Sequence, residues 1–202
     1  VPAPTGDLGV VPEGADPETY DRLRRRVLWS MPTGLYVVGS RVGERANLMT
    51  CNLVMQVSTT PKLVAAAIES GSLTRTLVEE GGAFAVCVLD RRDRGLVRRF
   101  VKPVDRVEVD AAGSLTALQG EPVHEVTGGL PVLDVSLAWL ACRVRQVVDP
   151  GSGTGTPASH RLFLGEVVDA GEASHRTGPS EAPEPEGGGV LRMEDTRMSY
   201  GG

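Results

Sequence analysis

A chain of 202 residues with 41% apolar residues has enough material for one domain with a buried core, and its net charge of −5 excludes the broadly basic surface of a nucleic-acid or anionic-membrane binder. No apolar run reaches the roughly eighteen residues of a membrane-spanning helix. Three widely spaced cysteines, Cys51, Cys87 and Cys142, with no CxxC pair, argue against a disulfide framework or a zinc site and for buried thiols in the reducing cytoplasm.

Residues 1–15 are rich in Pro and Gly and read as an irregular arm. They lack the basic-then-apolar order of a signal peptide. Asp16-Pro17-Glu18 supplies an N-cap, a proline at the first helical position and an acid in the first turn. Tyr20, Leu23 and Val27 follow at helical spacing, which predicts a helix over 17–29. From Gly34 the period changes to two. GLYVVGS and NLMTCNLVMQVS read as strands joined by a turn at 41–44. KLVAAAIE is a strand-length apolar run, expected to be buried on both faces. In SLTRTLVEEGG, Thr76 and Glu79 suggest a capping box, and Gly81-Gly82 ends a short helix.

AFAVCVL is a further buried strand. In DRRDRGLVRRFV, Leu96, Val97, Phe100 and Val101 share one helical face. DRVEVDA and SLTALQG read as weaker strands. PVLDVSLAWLACRVRQVVD alternates, as one long strand or two joined by a kink. GSGTGTPAS is a loop and HRLFLGEVVDA a strand. Residues 171–189 form a flexible, Pro/Gly/Glu-rich segment, and 190–202 a C-terminal tail. One domain thus spans 16–170. Strands this close together leave no room for crossover helices. The fold class is mainly β with peripheral helices, an antiparallel barrel.

Catalytic signals are sparse. GSGTGTP lacks the Lys-Ser/Thr of a phosphate loop and precedes a strand, so it reads as a hairpin loop. His124, His160 and His175 show no metal-ligand spacing. No nucleophile motif and no paired carboxylates appear. On sequence alone His160 reads as a surface residue where a loop enters a strand. The arginine-rich stretch 91–102 reads as the solvated face of a short helix. An enzyme built this way takes its chemistry from a cofactor.

The stretch from Arg45 to Ser70 is the informative one. It carries Asn47, Thr50, Cys51 and Asn52 inside one strand and Ser58, Thr59 and Thr60 before Pro61. Short donors spaced along a strand suit the polar edge of a flat heteroaromatic ring. Hydroxyls and amides near a helix start suit a phosphate. A strand with polar edge residues explains the same pattern, and both readings stay open at this level.

In order and spacing, MPTGLYVVGS, NLMTCNLVMQVSTTPKLVAAAI, SLTRTLVEEGGAFAVCVLD, RRFVKP, GLPVLDVSLAWLACRV and HRLFLGEVVDA resemble the flavin reductase-like family over about residues 28–170. That resemblance implies an FMN-binding split barrel. It implies that Met49, Thr50, Cys51 and Asn52 line the flavin ring and that Ser58 lies near the ring or ribityl chain. Thr74 would help bind the phosphate, with Ser72 and Arg75 close by. Phe100 and Lys102 would border the cofactor, and His160 would approach the nicotinamide. It further implies hydride transfer from NADH or NADPH to FMN or FAD, a homodimer with flavin at the interface, and a flavin-dependent monooxygenase as partner. The alternative within the same fold is a non-catalytic FMN-binding electron carrier, flavoredoxin-like. A barrel that binds another ligand is the third reading.

Overall fold

Asp16 accepts from the Thr19 amide at 3.0 Å and opens helix α1, Pro17–Trp29, with the bounds the sequence predicts. The computed structural model describes residues 10–152, 157–172, 188–196 and 198. The arm before residue 10 and the segment 173–187 therefore lie outside the described residues.

Strands β1 (Tyr36–Val42) and β2 (Arg45–Cys51) form a hairpin whose turn uses Gly43 at φ 60°, in the expected place. Strands β3 (Val54–Thr59) and β4 (Lys62–Glu69) form a second hairpin. Helix α2 (Leu73–Gly81) leads into β5 (Ala83–Val88) through Gly82 in the left-handed conformation, the glycine stop read from the sequence. A small sheet follows: β6 (Val107–Val109), β7 (Leu115–Leu118), β8 (Glu121–Val126) and β9 (Leu130–Leu133). The long strands β10 (Ala138–Val148) and β11 (His160–Glu172) close the domain. Every ladder among the described residues is antiparallel.

The large sheet runs β2-β1-β5-β10-β11-β4-β3. Its two edge strands, β2 and β3, are consecutive in the chain, with only Asn52 and Leu53 between them. Three peptide spacings from Cys51 to Val54 reach at most about 11 Å. The sheet must therefore curl until its edges meet at one end. No ladder joins the edges among the described residues, so the sheet curls without closing into a barrel. A seam is left between them.

Central strand β5 shows how the core is divided. Phe84 and Val86 join Val38, Ile68, Val78 and Phe163 on one face. Ala85 and Cys87 join Val37, Leu48, Leu118 and Val132 on the other, under the small sheet. Leu191, fully buried, is held to both Leu35 and Leu89 by backbone hydrogen bonds, so the described part of the tail packs on this second core. Gly165 of β11 lies against Phe84: a Cβ there would stand 2.6 Å from the ring and 2.8 Å from Cys142 Cβ. Gly165→Ala is expected to cost about 1–3 kcal/mol through overpacking, read as a lower urea midpoint at unchanged slope. An unchanged midpoint would mean that Phe84 yields without strain.

Four elements differ from the sequence reading. NLMTCNLVMQVS is two strands, because the chain changes sheet edge at Asn52 and Leu53. The α2 cap is Ser72, whose Oγ accepts from the Arg75 amide at 3.1 Å. Thr76 is inside the helix, and Glu79 pairs with Arg75 and Arg161 instead of closing a box. The 91–101 stretch forms two 3-10 turns, Arg91–Asp93 and Leu96–Phe100. Their three-residue period buries Val97 and Phe100 together and leaves Val101 46% exposed. The β8–β9 hairpin takes residues 131–133 out of the long strand read from PVLDVSLAWLACRVRQVVD and into the small sheet, and β10 begins only at Ala138. The hairpin's turn signal is Gly128-Gly129, both at positive φ.

Candidate functional site

The seam between the sheet edges opens into a cleft of about 260 Å³. One wall is the end of β2 with Met49, Thr50, Cys51 and Asn52. The opposite wall is the end of β4 with Ala67 and Glu69, continued by Gly71 and Ser72 at the start of α2. Phe100, Val101, Lys102 and Pro103 form the third side, and His160 stands at the mouth. A second groove of about 680 Å³ shares Asn52, Leu53 and His160 with the cleft. It runs past Trp29, Met31, Met193 and Met198.

The polar residues of β2 prove to be fasteners as well as lining. Asn47 is 2% exposed. Its Nδ2 donates to Thr74 Oγ1 at 2.7 Å, and its Oδ1 accepts from the Val104 amide at 2.7 Å. Thr50 Oγ1 donates to the Val97 carbonyl at 2.5 Å. One strand thus pins both α2 and the 97–104 segment, which carries Phe100 and Lys102 into the cleft. These bonds explain hydroxyls and an amide where a core strand would carry Val or Ile.

Across the seam, Cys51 Sγ donates to the Ala67 carbonyl at 3.5 Å. Burial pushes the Cys51 thiol up to about 11, so it stays protonated at neutral pH and is no nucleophile there. Cys142, also raised by burial, reaches about 12. Ser72 Oγ is fully engaged: it donates to the Glu69 carbonyl at 2.8 Å while it caps α2. Lys102 and Glu69 are the cleft's two charged side chains, and neither has an ion pair among the described residues.

Of the residues singled out from sequence, the fold brings Met49, Thr50, Cys51, Asn52, Ser72, Phe100, Lys102 and His160 to this one cleft. Ser58, Thr74 and Arg75 are not among its lining residues. Ser58 sits in β3 opposite Leu63, near the β3–β4 turn. Thr74 is fully buried against Asn47. Arg75 turns to Glu79 at 2.5 Å. Sequence reasoning missed Glu69 and Pro103. Glu69 could be found only by knowing that β4 pairs with β11, which places it directly opposite His160.

A family model, the flavin reductase like domain, matches residues 28–185. A flavin reductase (NADH) from Kitasatospora aureofaciens is 30% identical over 167 residues, covering 81% of this chain and 76% of that protein. A high molecular weight rubredoxin from Moorella thermoacetica is 31% identical over 147 residues. The match covers 72% of this chain but 58% of the rubredoxin, so the chain spans less than two thirds of that relative's length. Among solved structures, the flavin reductase PheA2 in its native state superposes with a TM-score of 0.60 at 27% identity, covering 76% of this chain and 88% of that one.

Proposed function

The chain belongs to the flavin reductase like domain family, and from that premise we propose that it is an oxidoreductase that passes a hydride from NADH or NADPH to FMN or FAD held in the seam cleft. The observation that carries this reading is the cleft itself. Eight residues that the family resemblance implicates, drawn from β2, α2, the 100–103 segment and β11, meet there. The cleft is smaller than the common ligand pocket of roughly 300–1,000 Å³, and the larger groove adjoins it along Asn52, Leu53 and His160. Its donor set suits a flavin: the β2 edge for a flat polar ring and the Lys102 ammonium for a phosphate.

When bound, the flavin supplies a two-electron acceptor for the nicotinamide hydride. The chain's own part is alignment. Met49 to Asn52 orient the ring edge, Phe100 backs the cleft, and Lys102 attracts the phosphate. Thr74 acts from behind, by holding Asn47. His160 at the mouth meets the incoming nicotinamide. Positioning of this kind lowers the barrier without an acid or base, which suits a cleft with no paired carboxylates.

Helix α1 has no buried side chain, and Leu23, Val27, Leu28 and Trp29 are 45–57% exposed. A helix of this length gains its stability from packing, so a second copy is proposed to cover it, giving a homodimer. Reduced flavin then serves a partner monooxygenase or another acceptor.

Purified protein is expected to oxidise NADH or NADPH only when FMN or FAD is added. No oxidation of either nucleotide with either flavin would refute the reading. Lys102→Gln is expected to weaken FMN binding about fivefold and riboflavin binding less than twofold, since an exposed charge contributes about 1 kcal/mol. Equal losses for both flavins would take Lys102 away from the phosphate. The likeness to a rubredoxin favours a second reading, an electron carrier with bound flavin. Tight flavin with negligible nucleotide turnover would select it.

A further inference from the structure

Glu69 and His160 are direct partners in the β4–β11 ladder. Directly opposed residues of an antiparallel pair point to the same face with Cβ atoms about 4.5–5.5 Å apart, and both of these line the seam cleft. Their backbones are held to each other through the ladder and by the hydrogen bonds of the residues beside them. The Ser70 amide donates to the Ser159 carbonyl at 2.8 Å, and Ser70 Oγ donates to the Ala158 carbonyl at 2.9 Å. The Glu69 carbonyl accepts from both the amide and the hydroxyl of Ser72, at 3.0 and 2.8 Å. Ser159 Oγ stands 2.9 Å from His160 Nδ1, which leaves Nε2 as the ring nitrogen open to a ligand. The Glu69 carboxylate has no ion pair among the described residues, so its acceptor oxygens are open too.

A carboxylate that only accepts beside an imidazole N–H that donates is the complement of a primary carboxamide, which offers N–H donors next to a carbonyl acceptor. It is equally the wrong partner for a carboxylate of the same shape, which would place two like charges together. Building on the hydride-transfer reading above, we propose that Glu69 and His160 together recognise the carboxamide of the nicotinamide ring, with Glu69 accepting from its NH2 group and His160 Nε2 donating to its oxygen. Glu69 is then the residue that selects the nicotinamide dinucleotide over its nicotinic acid counterpart. The two differ only by NH2 against O⁻ at this group, so the rest of the dinucleotide cancels from the comparison.

The test is equilibrium titration of the flavin-loaded protein with oxidised nicotinamide adenine dinucleotide and with nicotinic acid adenine dinucleotide. The wild type is expected to prefer the nicotinamide form at least about tenfold, the discrimination that a hydrogen bond to a charged acceptor and a like-charge contact together provide. Glu69→Gln removes the charge and adds a donor. It is expected to reduce the preference to within about threefold, chiefly by tighter binding of the nicotinic acid form. Steady-state KM ratios for the reduced dinucleotides should move in parallel. Glu69 is exposed at a strand end, so its replacement leaves the core intact. A preference that is unchanged in Glu69→Gln, or absent in the wild type, overturns the proposal while leaving flavin reduction standing. A wild type that binds neither dinucleotide overturns both.

Discussion

Asn47→Ala is expected to destabilise the fold by about 2–4 kcal/mol and to weaken flavin binding by about tenfold. Both effects come from one side chain. It is the bond between α2, through Thr74, and the 97–104 segment, through the Val104 amide, and it lies almost wholly out of solvent. Removing it strands a buried hydroxyl and a backbone N–H, each costing about 1–3 kcal/mol when left without a partner. The segment that carries Phe100 and Lys102 then loses its anchor to β2, and the cleft loses its fixed third side. Thr74→Val tests the same link from the other end and should lose stability with little direct loss of phosphate contact. Urea unfolding and flavin titration on the same samples separate the two effects. Lost stability with unchanged flavin affinity would make Asn47 a fastener only, and unchanged stability would contradict the network.

Phe100→Ala is expected to cost about 3–5 kcal/mol, the range for emptying a fully enclosed aromatic site. The side chain packs in the core beneath the small sheet and is at the same time a wall of the cleft. The alanine variant alone would not distinguish those roles, since a partly unfolded protein binds nothing. Phe100→Leu keeps most of the apolar volume and should leave the protein folded. A folded leucine variant with weakened flavin binding would show that the ring shapes the cleft. A folded leucine variant with unchanged flavin affinity would confine Phe100 to the core.

Local signals were legible in the sequence wherever the cause was local. Helix α1 follows from Asp16-Pro17-Glu18, because a cap, a proline and an acid act within one turn. The buried strands β4 and β5 follow from their apolar runs, and the end of α2 from Gly81-Gly82. What the sequence concealed depends on pairing between distant strands. NLMTCNLVMQVS alternates well enough to pass for one strand. Only the curl of the sheet, which brings β2 and β3 to opposite edges of one seam, explains the break at Asn52 and Leu53. The α2 cap is ambiguous in sequence because Ser72 and Thr76 are both good cap residues, and the turn after β4 decides between them.

The candidate site divides in the same way. Met49 to Asn52 lie on one strand end, so one motif places four residues together. Around α2, spacing separates neighbours: Ser72 and Leu73 reach the cleft, Thr74 is buried behind it, and Arg75 turns to Glu79. A phosphate site drawn from the whole of SLTRT therefore includes two residues that the helix turns away. Ser58 precedes Pro61 in the polar turn of the β3–β4 hairpin, and it is not among the residues that line the cleft. Glu69 needed the ladder register with β11, a long-range fact that no local pattern contains.

The most direct test of hydride transfer is an anaerobic absorbance experiment. Protein is mixed with one equivalent of FMN, and NADH and then NADPH are added to separate samples. Loss of the flavin band within seconds with at least one nucleotide is the expected result, and the faster of the two names the donor. A bound flavin that keeps its band with both nucleotides and loses it only with dithionite would contradict the account.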